Sequence, residues 1–289
     1  MTDEALVLHA CTTVLGQAPV GWSTLSGGCI HDVLRIECAD GAACVMKIAA
    51  RSERDMLLAE QHNLEAMTAQ GGIRIPAVLG FEESDTHAVL VLESLSIGPP
   101  DSGRWHEFGE ALAGFHSAAG MQGYGFDRDN FIGRTPQLNT WHEDWVEFNI
   151  ECRIGPQVTR ARDAGLLDRD ATAMLDGVMG RLDQLVPRIP PASLLHGDLW
   201  SGNALVLHEG SIAVLDPACS FGDAWADMAM MRLFGGFPRE CQEAWRSTLG
   251  FDEADDRVAV YQLYHMLNHL NLFGGSYIGG VMELARRLS

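Results

Sequence analysis

The feature that most constrains this chain is a short polar segment between apolar runs in its second half. Asp198 and Asn203 lie five residues apart, and Asp216 follows at the end of a later apolar run. Phosphoryl transfer needs a group that accepts and orients the attacking hydroxyl, and oxygen ligands for Mg²⁺. We therefore predict that Asp198 faces the hydroxyl and that Asn203 and Asp216 bind Mg²⁺. An Asx-rich turn is the alternative for any one of them, but their order favours phosphoryl transfer.

A lysine in the first third of the chain provides an independent check. A kinase needs a lysine on a strand near the nucleotide phosphates and an acid on the next helix to orient it. Lys47 lies in the apolar run Val45–Ile48, and Glu60 falls on the apolar face of a helix predicted for residues 54–70. A buried carboxylate is costly without a cation, so we predict that the two pair. The alternative is a surface lysine with a helix-edge glutamate, and Glu65 is the substitute for Glu60 if the helix phase differs.

A glycine pair lies between the first two predicted strands. In Ser26-Gly27-Gly28-Cys29 the backbone N–H groups of Gly27 and Gly28 can approach phosphates, because glycine has no Cβ. A tight hairpin turn is the alternative. The position relative to Lys47 favours phosphate binding.

The pattern along the chain predicts an α+β, two-lobed protein-kinase-like fold with a small β-rich N-lobe and a larger, mostly helical C-lobe. We place the boundary at the linker-like run Ser94–Pro100, giving a nucleotide-binding lobe at 1–94 and a catalytic and substrate-binding lobe at 95–289. Strands are predicted at 22–25, 32–38, 42–48, 77–81, 88–93, 193–195, 204–207 and 212–215. Besides 54–70, helices are predicted at 102–118, 141–163, 168–186, 223–234, 239–248, 254–273 and 277–288.

Charge and composition exclude several partner classes. The 20 Lys+Arg and 39 Asp+Glu residues give a net charge of −19, so the chain repels phosphate backbones and we expect no nucleic-acid partner. The acidic start is unlike a signal peptide, and no apolar run approaches the roughly 18 residues of a membrane span. Seven cysteines without a C-x-x-C pair predict free thiols in a reducing cytoplasm.

Several polar residues near these motifs have structural interpretations. His116 shares a helix face with Phe108 and Leu112, which predicts a hydrogen-bonded core histidine. His196 is expected to fix the loop that contains Asp198 and Asn203, which we call the catalytic loop. Asp223 is interpreted as a helix N-cap and Asp227 as a brace for the loop.

Two further groups of residues have two interpretations each. Trp200, inside the catalytic loop, is either part of the core or a wall against the substrate sugar. His265, Asn268 and His269 lie opposite the leucines of the helix at 254–273. A solvated face is the simpler interpretation of these three, and a wall of the substrate pocket is the alternative.

Longer motifs resemble one family. These are D-N-F-I-G-R-T-P-Q-L-N-T-W-H-E-D-W from Asp129, L-L-H-G-D-L-W-S-G-N from Leu194, D-P-A-C-S-F-G-D-A-W-A-D from Asp216, L-F-G-G-F-P from Leu233 and Y-Q-L-Y-H-M-L-N-H-L-N-L-F-G-G from Tyr261. Together they are similar to the fructosamine/ketosamine kinases over nearly the whole chain. His31 and Asn149 depart from the pattern, which leaves the identity of the sugar open.

The resemblance implies ATP-dependent phosphorylation of the third-carbon hydroxyl of a small-molecule or protein-bound ketosamine, such as a fructosamine or ribulosamine, in the repair of glycated amines. It implies that ATP binds between the lobes, with adenine against the backbone of Glu93, Ser94 and Leu95 and the α/β-phosphates on Lys47. Rival interpretations are an aminoglycoside or amino-alcohol phosphotransferase and a nucleotide-binding pseudokinase. The C-terminal motif argues against the first, and the presence of Lys47, Asp198, Asn203 and Asp216 argues against the second.

Cys29 matches a loop cysteine of the resembled family. A mobile thiol beside Gly27 and Gly28 would oxidise readily if positive charge or N–H groups stabilise its thiolate. We expect a redox-dependent homodimer linked through Cys29, and a small residue tolerated in a tight turn is the alternative.

Overall fold

The structure is a computed structural model that describes residues 4–25, 31–99, 103–118, 123–252 and 255–289, with only the backbone of Asp255. The chain forms two compact units: Met1–Pro100 with Leu205–Leu215, and Asp101–Ala204 with Asp216–Ser289. The first unit thus includes residues 205–215, which the sequence-based division at residues 94 and 95 assigns to the second lobe. No helix within the described ranges is long and apolar enough to cross a membrane.

The first unit is built on a five-stranded antiparallel sheet with the order β1-β2-β3-β5-β4. Its elements are α1 (Glu4–Leu15), β1 (Pro19–Thr24), β2 (Asp32–Cys38), β3 (Ala43–Ala50), α2 (Arg54–Gln70), β4 (Val78–Glu83) and β5 (His87–Glu93). The predicted bounds of β2 and α2 are confirmed. The helix α1 was not among the predicted elements.

Both faces of this sheet are covered, and β5 shows why. Every residue of β5 from Ala88 to Leu92 is buried. Val89 and Val91 pack in one cluster with residues of α1, and Ala88, Leu90 and Leu92 pack in another with residues of α2. Because successive side chains of a strand point to opposite faces, a strand covered on both faces has a continuous apolar run.

The second unit is mostly helical. Its helices are α3 (Arg104–Ser117), α4 (Trp145–Phe148), α5 (Gly155–Asp163), α6 (Arg169–Met179), α7 (Leu182–Leu185), α8 (Trp225–Leu233), α9 (Arg239–Leu249), α10 (Asp255–Phe273) and α11 (Ile278–Leu288). The helix predicted at 141–163 begins only at Trp145, after Asp144 as N-cap, and contains a π-helical stretch at Asn149–Ile154. The helix predicted at 168–186 is broken after Met179 into α6 and α7.

Short strands position the polar loops. The β6–β7 hairpin (Asn130–Ile132 and Thr135–Gln137) and the pairing of β8 (Ala192–Leu195) with β11 (Ser220–Asp223) belong to the second unit. The strands β9 (Ala204–Val206) and β10 (Ile212–Val214) pair with each other. Sequence patterns predict β8, β9 and β10, which are mostly apolar, but not β6, β7 or β11, each of which begins with a polar residue.

Candidate active site

The loop after β8 brings Asp198 and Asn203 together. Nδ2 of Asn203 donates to the backbone oxygen of Asp198 at 2.9 Å and lies 3.4 Å from its carboxylate Oδ2. Asn203 is 6% exposed and ends a short 3₁₀ turn at Ser201–Asn203. The five-residue spacing therefore closes a compact loop in which the amide faces the carboxylate.

A second carboxylate acts on this pair electrostatically. The pKa of Asp198 is raised to about 7, chiefly by burial and then by the negative charge of Asp216, while the Asn203 amide opposes the change. Asp216 itself has φ +54°, the left-handed region that residues with a Cβ rarely adopt. Such strain is retained where the surroundings fix it, and it often marks functional sites.

The backbone of the loop is held by Asp227 of α8. Its two carboxylate oxygens accept hydrogen bonds from the N–H groups of His196 at 2.7 Å and Gly197 at 2.8 Å. Burial opposes ionisation of Asp227, but hydrogen bonds from His116 and from the Gly197 N–H keep its pKa below the ordinary value. The predicted brace is confirmed, and it works through two main-chain donors at the start of the catalytic loop.

His116 extends this brace into the core. Trp245 Nε1 donates to its Nδ1 at 2.8 Å, and its Nε2 lies 3.1 Å from Oδ2 of Asp227. Because an indole N–H can only donate, Nδ1 of His116 is an acceptor and the proton lies on Nε2. The predicted hydrogen-bonded core histidine is confirmed, with α3, α8 and α9 joined by one chain of bonds.

His196 is fully buried and fixes the loop as expected. Its Nδ1 accepts the N–H of Asp198 at 3.2 Å, and its backbone oxygen accepts the N–H of Ala218 at 2.7 Å. Next to it, a Cβ on Gly197 would lie 2.0 Å from the Ala218 oxygen. The loop therefore approaches the segment after Asp216 at a distance that only glycine permits.

In the first unit, Lys47 on β3 pairs with Glu60 on α2. The Nζ–Oε1 distance is 2.5 Å, and each side chain is 13% exposed. Glu65 is exposed on the other side of the helix, where Gln61 donates to it. The predicted pairing and the helix phase are confirmed.

The side chain of Glu93 makes contacts that the sequence did not reveal. Its carboxylate lies 2.5 Å from Nη2 of Arg74 and 3.1 Å from the N–H of Ala77. The backbone oxygen of Arg74 also accepts the N–H of Val214, two residues before Asp216. Ser94 and Leu95 follow β5 outside any helix or strand and are half-buried.

Trp200 is not part of the core, because 39% of it is exposed. Its indole covers Gly202, where a Cβ would lie 2.1 Å from Cη2. The core interpretation is therefore wrong, and the wall against the substrate sugar stays a prediction.

The solvated face expected on α10 is wrong. His265 and Asn268 are 4% and 2% exposed, since α10 packs against α5, α8 and α11. Burial, together with the nearby His269, lowers the pKa of His265 to about 3, so it is a neutral core imidazole. His269 is half-buried, and its ring contacts the rings of Phe234 and Phe273.

Asp223 is the last residue of β11 and not the N-cap of α8. Its Oδ1 accepts the N–H of Trp225, while Oδ2 accepts the Tyr261 hydroxyl at 2.7 Å and lies 3.3 Å from Nη1 of Arg257. It ties β11 to α8 and α10.

The predicted phosphate loop and redox residue, Gly27, Gly28 and Cys29, lie outside the described residues. The six cysteines that the structure describes are buried and form no disulfides. Burial raises the pKa of each of these thiols: Cys11, Cys38, Cys44, Cys152, Cys219 and Cys241.

Comparison with known proteins identifies similar chains along nearly the whole length. The family model described as fructosamine kinase matches residues 6–288. A probable ketoamine kinase of Synechocystis sp. is 39% identical over 258 residues, which cover 88% of this chain and 85% of that protein. A crystal structure of a putative fructosamine-3-kinase from Thermobifida fusca is 30% identical, has a TM-score of 0.88 and covers 98% of each chain.

A more distant structure shows the same fold. An aminoglycoside phosphotransferase crystallised in a ternary complex with ADP and hygromycin B has a TM-score of 0.64 at 16% identity, over 98% of this chain and 95% of that one. The protein-kinase-like fold expected from the sequence is thereby confirmed.

Proposed function

Because the chain belongs to the fructosamine kinase family, we propose that it transfers a phosphoryl group from ATP to the third-carbon hydroxyl of a ketosamine. The observation that carries the proposal is the Asp198–Asn203 pair with the nearby charge of Asp216. These are the carboxylate and the oxygen ligands that phosphoryl transfer requires. The family resemblance supports the choice of a fructosamine or ribulosamine and a function in deglycation repair.

Asp198 is the proposed catalytic residue. It hydrogen-bonds the attacking hydroxyl, orients its oxygen towards the terminal phosphorus and accepts its proton as the new P–O bond forms. The bonds from His196 and Asn203 hold the loop while this happens. Burial and the negative charge of Asp216 raise the pKa of Asp198, so its charged form is favoured when a cation is bound nearby.

Asn203 and Asp216 fit a divalent cation. The negative charge of Asp216 is close enough to raise the pKa of Asp198, and the Asn203 amide, with Nδ2 directed at Asp198, carries Oδ1 on its other arm. Carboxylate and amide oxygens are the ligands that Mg²⁺ prefers. Asn203 and Asp216 would hold Mg²⁺, which would supply positive charge against the negative charge that develops on the nucleotide phosphates.

Lys47 and Glu60 are the proposed phosphate-binding pair. Glu60 holds the ammonium group in one position, so that Lys47 binds the α/β-phosphates of ATP without first losing side-chain freedom. Gly27 and Gly28 are proposed to supply N–H groups to the phosphates, and the backbone of Glu93, Ser94 and Leu95 to bind adenine. The Arg74 contact to Glu93 supports the last assignment, because it fixes the chain where β5 ends.

Trp200 and His269 are proposed to form walls of the substrate site. An indole exposed in the catalytic loop offers a flat apolar face to the carbon–hydrogen side of a sugar. The half-buried imidazole of His269, held among rings of Phe234 and Phe273, offers a second one.

Location and assembly are part of the proposal. The six described cysteines form no disulfides, which supports a cytoplasmic protein that would act on small or protein-bound ketosamines. Oxidation of Cys29 is proposed to link two copies and lower activity.

The function is tested by measuring ATP consumption with a panel of ribulosamine, fructosamine, aminoglycoside and amino-alcohol substrates. We expect Mg²⁺-dependent turnover with at least one ketosamine and none above background with the others. Turnover confined to an aminoglycoside or amino alcohol contradicts the proposal, as does nucleotide binding without turnover of any acceptor.

A further inference from the structure

The segment after Asp216 is held by two side-chain amides that no motif of the reaction includes. Nδ2 of Asn130 donates to the backbone oxygen of Cys219 at 2.8 Å, and Nε2 of Gln137 donates to that of Ala218 at 3.1 Å. Both amides lie on the β6–β7 hairpin, where Asn130 pairs with Gln137. They are 1% and 3% exposed.

These amides also fix each other. Nε2 of Gln137 donates to Oδ1 of Asn130 at 2.8 Å, and its Oε1 accepts the hydroxyl of Tyr264 at 2.6 Å. Each end of the Gln137 amide thus has a partner of the required type, which leaves it one orientation. A buried network in which every member is satisfied is rigid.

The held carbonyls are two and three residues beyond Asp216, which has the strained φ of +54°. On its other side the same segment donates from the Ala218 N–H to the backbone oxygen of His196. A strained residue keeps its conformation only if neighbouring bonds over-determine the backbone. Here those bonds come from the β6–β7 hairpin and from the catalytic loop.

We propose that Asn130 and Gln137 are positioning residues that hold Asp216 in its left-handed conformation and so place its carboxylate for the divalent cation. The inference rests on the proposed function for the metal ligand. It assigns to the β6–β7 hairpin an effect on metal binding through two main-chain carbonyls, without contact between either amide and the cation.

The test uses the full-length protein and the variants Gln137→Met, Asn130→Ala and Asn149→Leu. Asn149 is a matched control, because it is equally buried and its Nδ2 donates to one backbone oxygen, that of Trp145, which is not among residues 216–220. Asp216→Ala shows how far the Mg²⁺ dependence of analogue binding changes when the proposed metal ligand itself is lost. Binding of a non-hydrolysable ATP analogue is titrated by calorimetry at a series of Mg²⁺ concentrations, and hydrogen exchange is followed in the peptide that covers 216–220.

We expect Gln137→Met and Asn130→Ala to raise the Mg²⁺ concentration for half-maximal analogue binding by about five- to tenfold, the factor that one lost buried hydrogen bond represents. The 216–220 amides should exchange faster without ligand. Asn149→Leu should lower the melting temperature. It should leave the Mg²⁺ concentration for half-maximal analogue binding and the exchange of the 216–220 amides as in the wild type.

Folded Gln137→Met or Asn130→Ala with wild-type Mg²⁺ dependence and exchange overturns the inference. If neither variant folds, the wild type decides, since rapid exchange of the Ala218 amide contradicts a held segment. If the wild type shows no Mg²⁺-dependent analogue binding, the proposed function fails, and the exchange data still show whether the two amides hold the Asp216 segment.

Discussion

Nε2 of His116 lies 3.1 Å from Oδ2 of Asp227, and the same carboxylate accepts the backbone N–H groups of His196 and Gly197. Residues from three separate parts of the second unit thus meet at one ionised group. The catalytic loop depends on the charge of this group, since both of its oxygens serve as acceptors.

Asp227→Asn should lower the free energy of unfolding by about 3 kcal/mol at pH 7, because an amide presents donors to N–H groups that need an acceptor. The folded-state pKa of Asp227 is depressed. Its stabilisation is therefore complete above the unfolded pKa of about 4 and is lost as the pH falls through the folded value.

Urea denaturation at pH 7 and at pH 3 to 4 measures this difference. The difference in free energy of unfolding between the wild type and Asp227→Asn should be smaller in acid. A difference that does not change with pH would contradict a charged Asp227 that braces the loop. Asp168→Asn is the control, because Asp168 is an exposed N-cap that accepts the Ala171 N–H, and asparagine caps helices equally well.

Lys47→Met should lower kcat by about 10²-fold or more, with a smaller effect on nucleotide affinity, because it removes a contact that strengthens in the transition state. Arg51→Ala is the comparison. Arg51 forms an exposed ion pair with Glu83 at 2.6 Å, and such pairs contribute about 0 to 1 kcal/mol. If steady-state kinetics show that Lys47→Met lowers kcat no more than Arg51→Ala does, Lys47 is not part of the phosphate-binding site.

The Lys47–Glu60 pair also shows what sequence can predict. A carboxylate on the apolar face of α2 and a lysine in an apolar strand each need the other, and this requirement is independent of the rest of the fold. In the same way, the alternation of apolar and polar residues in β2 and the helical period of apolar residues in α2 predict where each element begins and ends. Local sequence patterns therefore predict an element or a contact where burial and periodicity alone specify which residues pair.

Other parts of the site depend on contacts that no local pattern specifies. Gln137 and Asn130 bond to carbonyls 81 and 89 residues away, and a polar residue in a three-residue strand carries no sign of such a partner. The helical period alone places His265 and Asn268 opposite the leucines of α10, which predicts a solvent-exposed face. Its burial follows from helices on several sides of α10, including α5, whose Gln157 donates to Asn268 at 3.2 Å.

Oxidation should act through Cys29. Diamide should lower activity, dithiothreitol should restore it, and non-reducing gels should show a dimer that Cys29→Ala cannot form. The other six thiols are buried with raised pKa values, and a protonated thiol reacts slowly. Equal inhibition of Cys29→Ala by diamide would assign the effect to one of those six.

Asp198→Asn should lower kcat by about 10² to 10⁴, the range for a positioned proton acceptor, while binding of an ATP analogue persists. The amide keeps the size of the side chain and loses the ability to accept the proton. Single-turnover kinetics with saturating ketosamine measure the chemical step, and an unchanged rate would exclude Asp198 as the acceptor.

The structure of the product tests the central claim most directly. The chain is incubated with ATP, Mg²⁺ and a fructosamine or ribulosamine, and the product is analysed by phosphorus–proton correlation NMR. We predict one phosphorylated ketosamine whose phosphorus couples to the proton on the third carbon of the sugar, absent with Asp198→Asn. Phosphate on another hydroxyl, or no phosphorylated ketosamine from an enzyme that phosphorylates an aminoglycoside, would contradict the account.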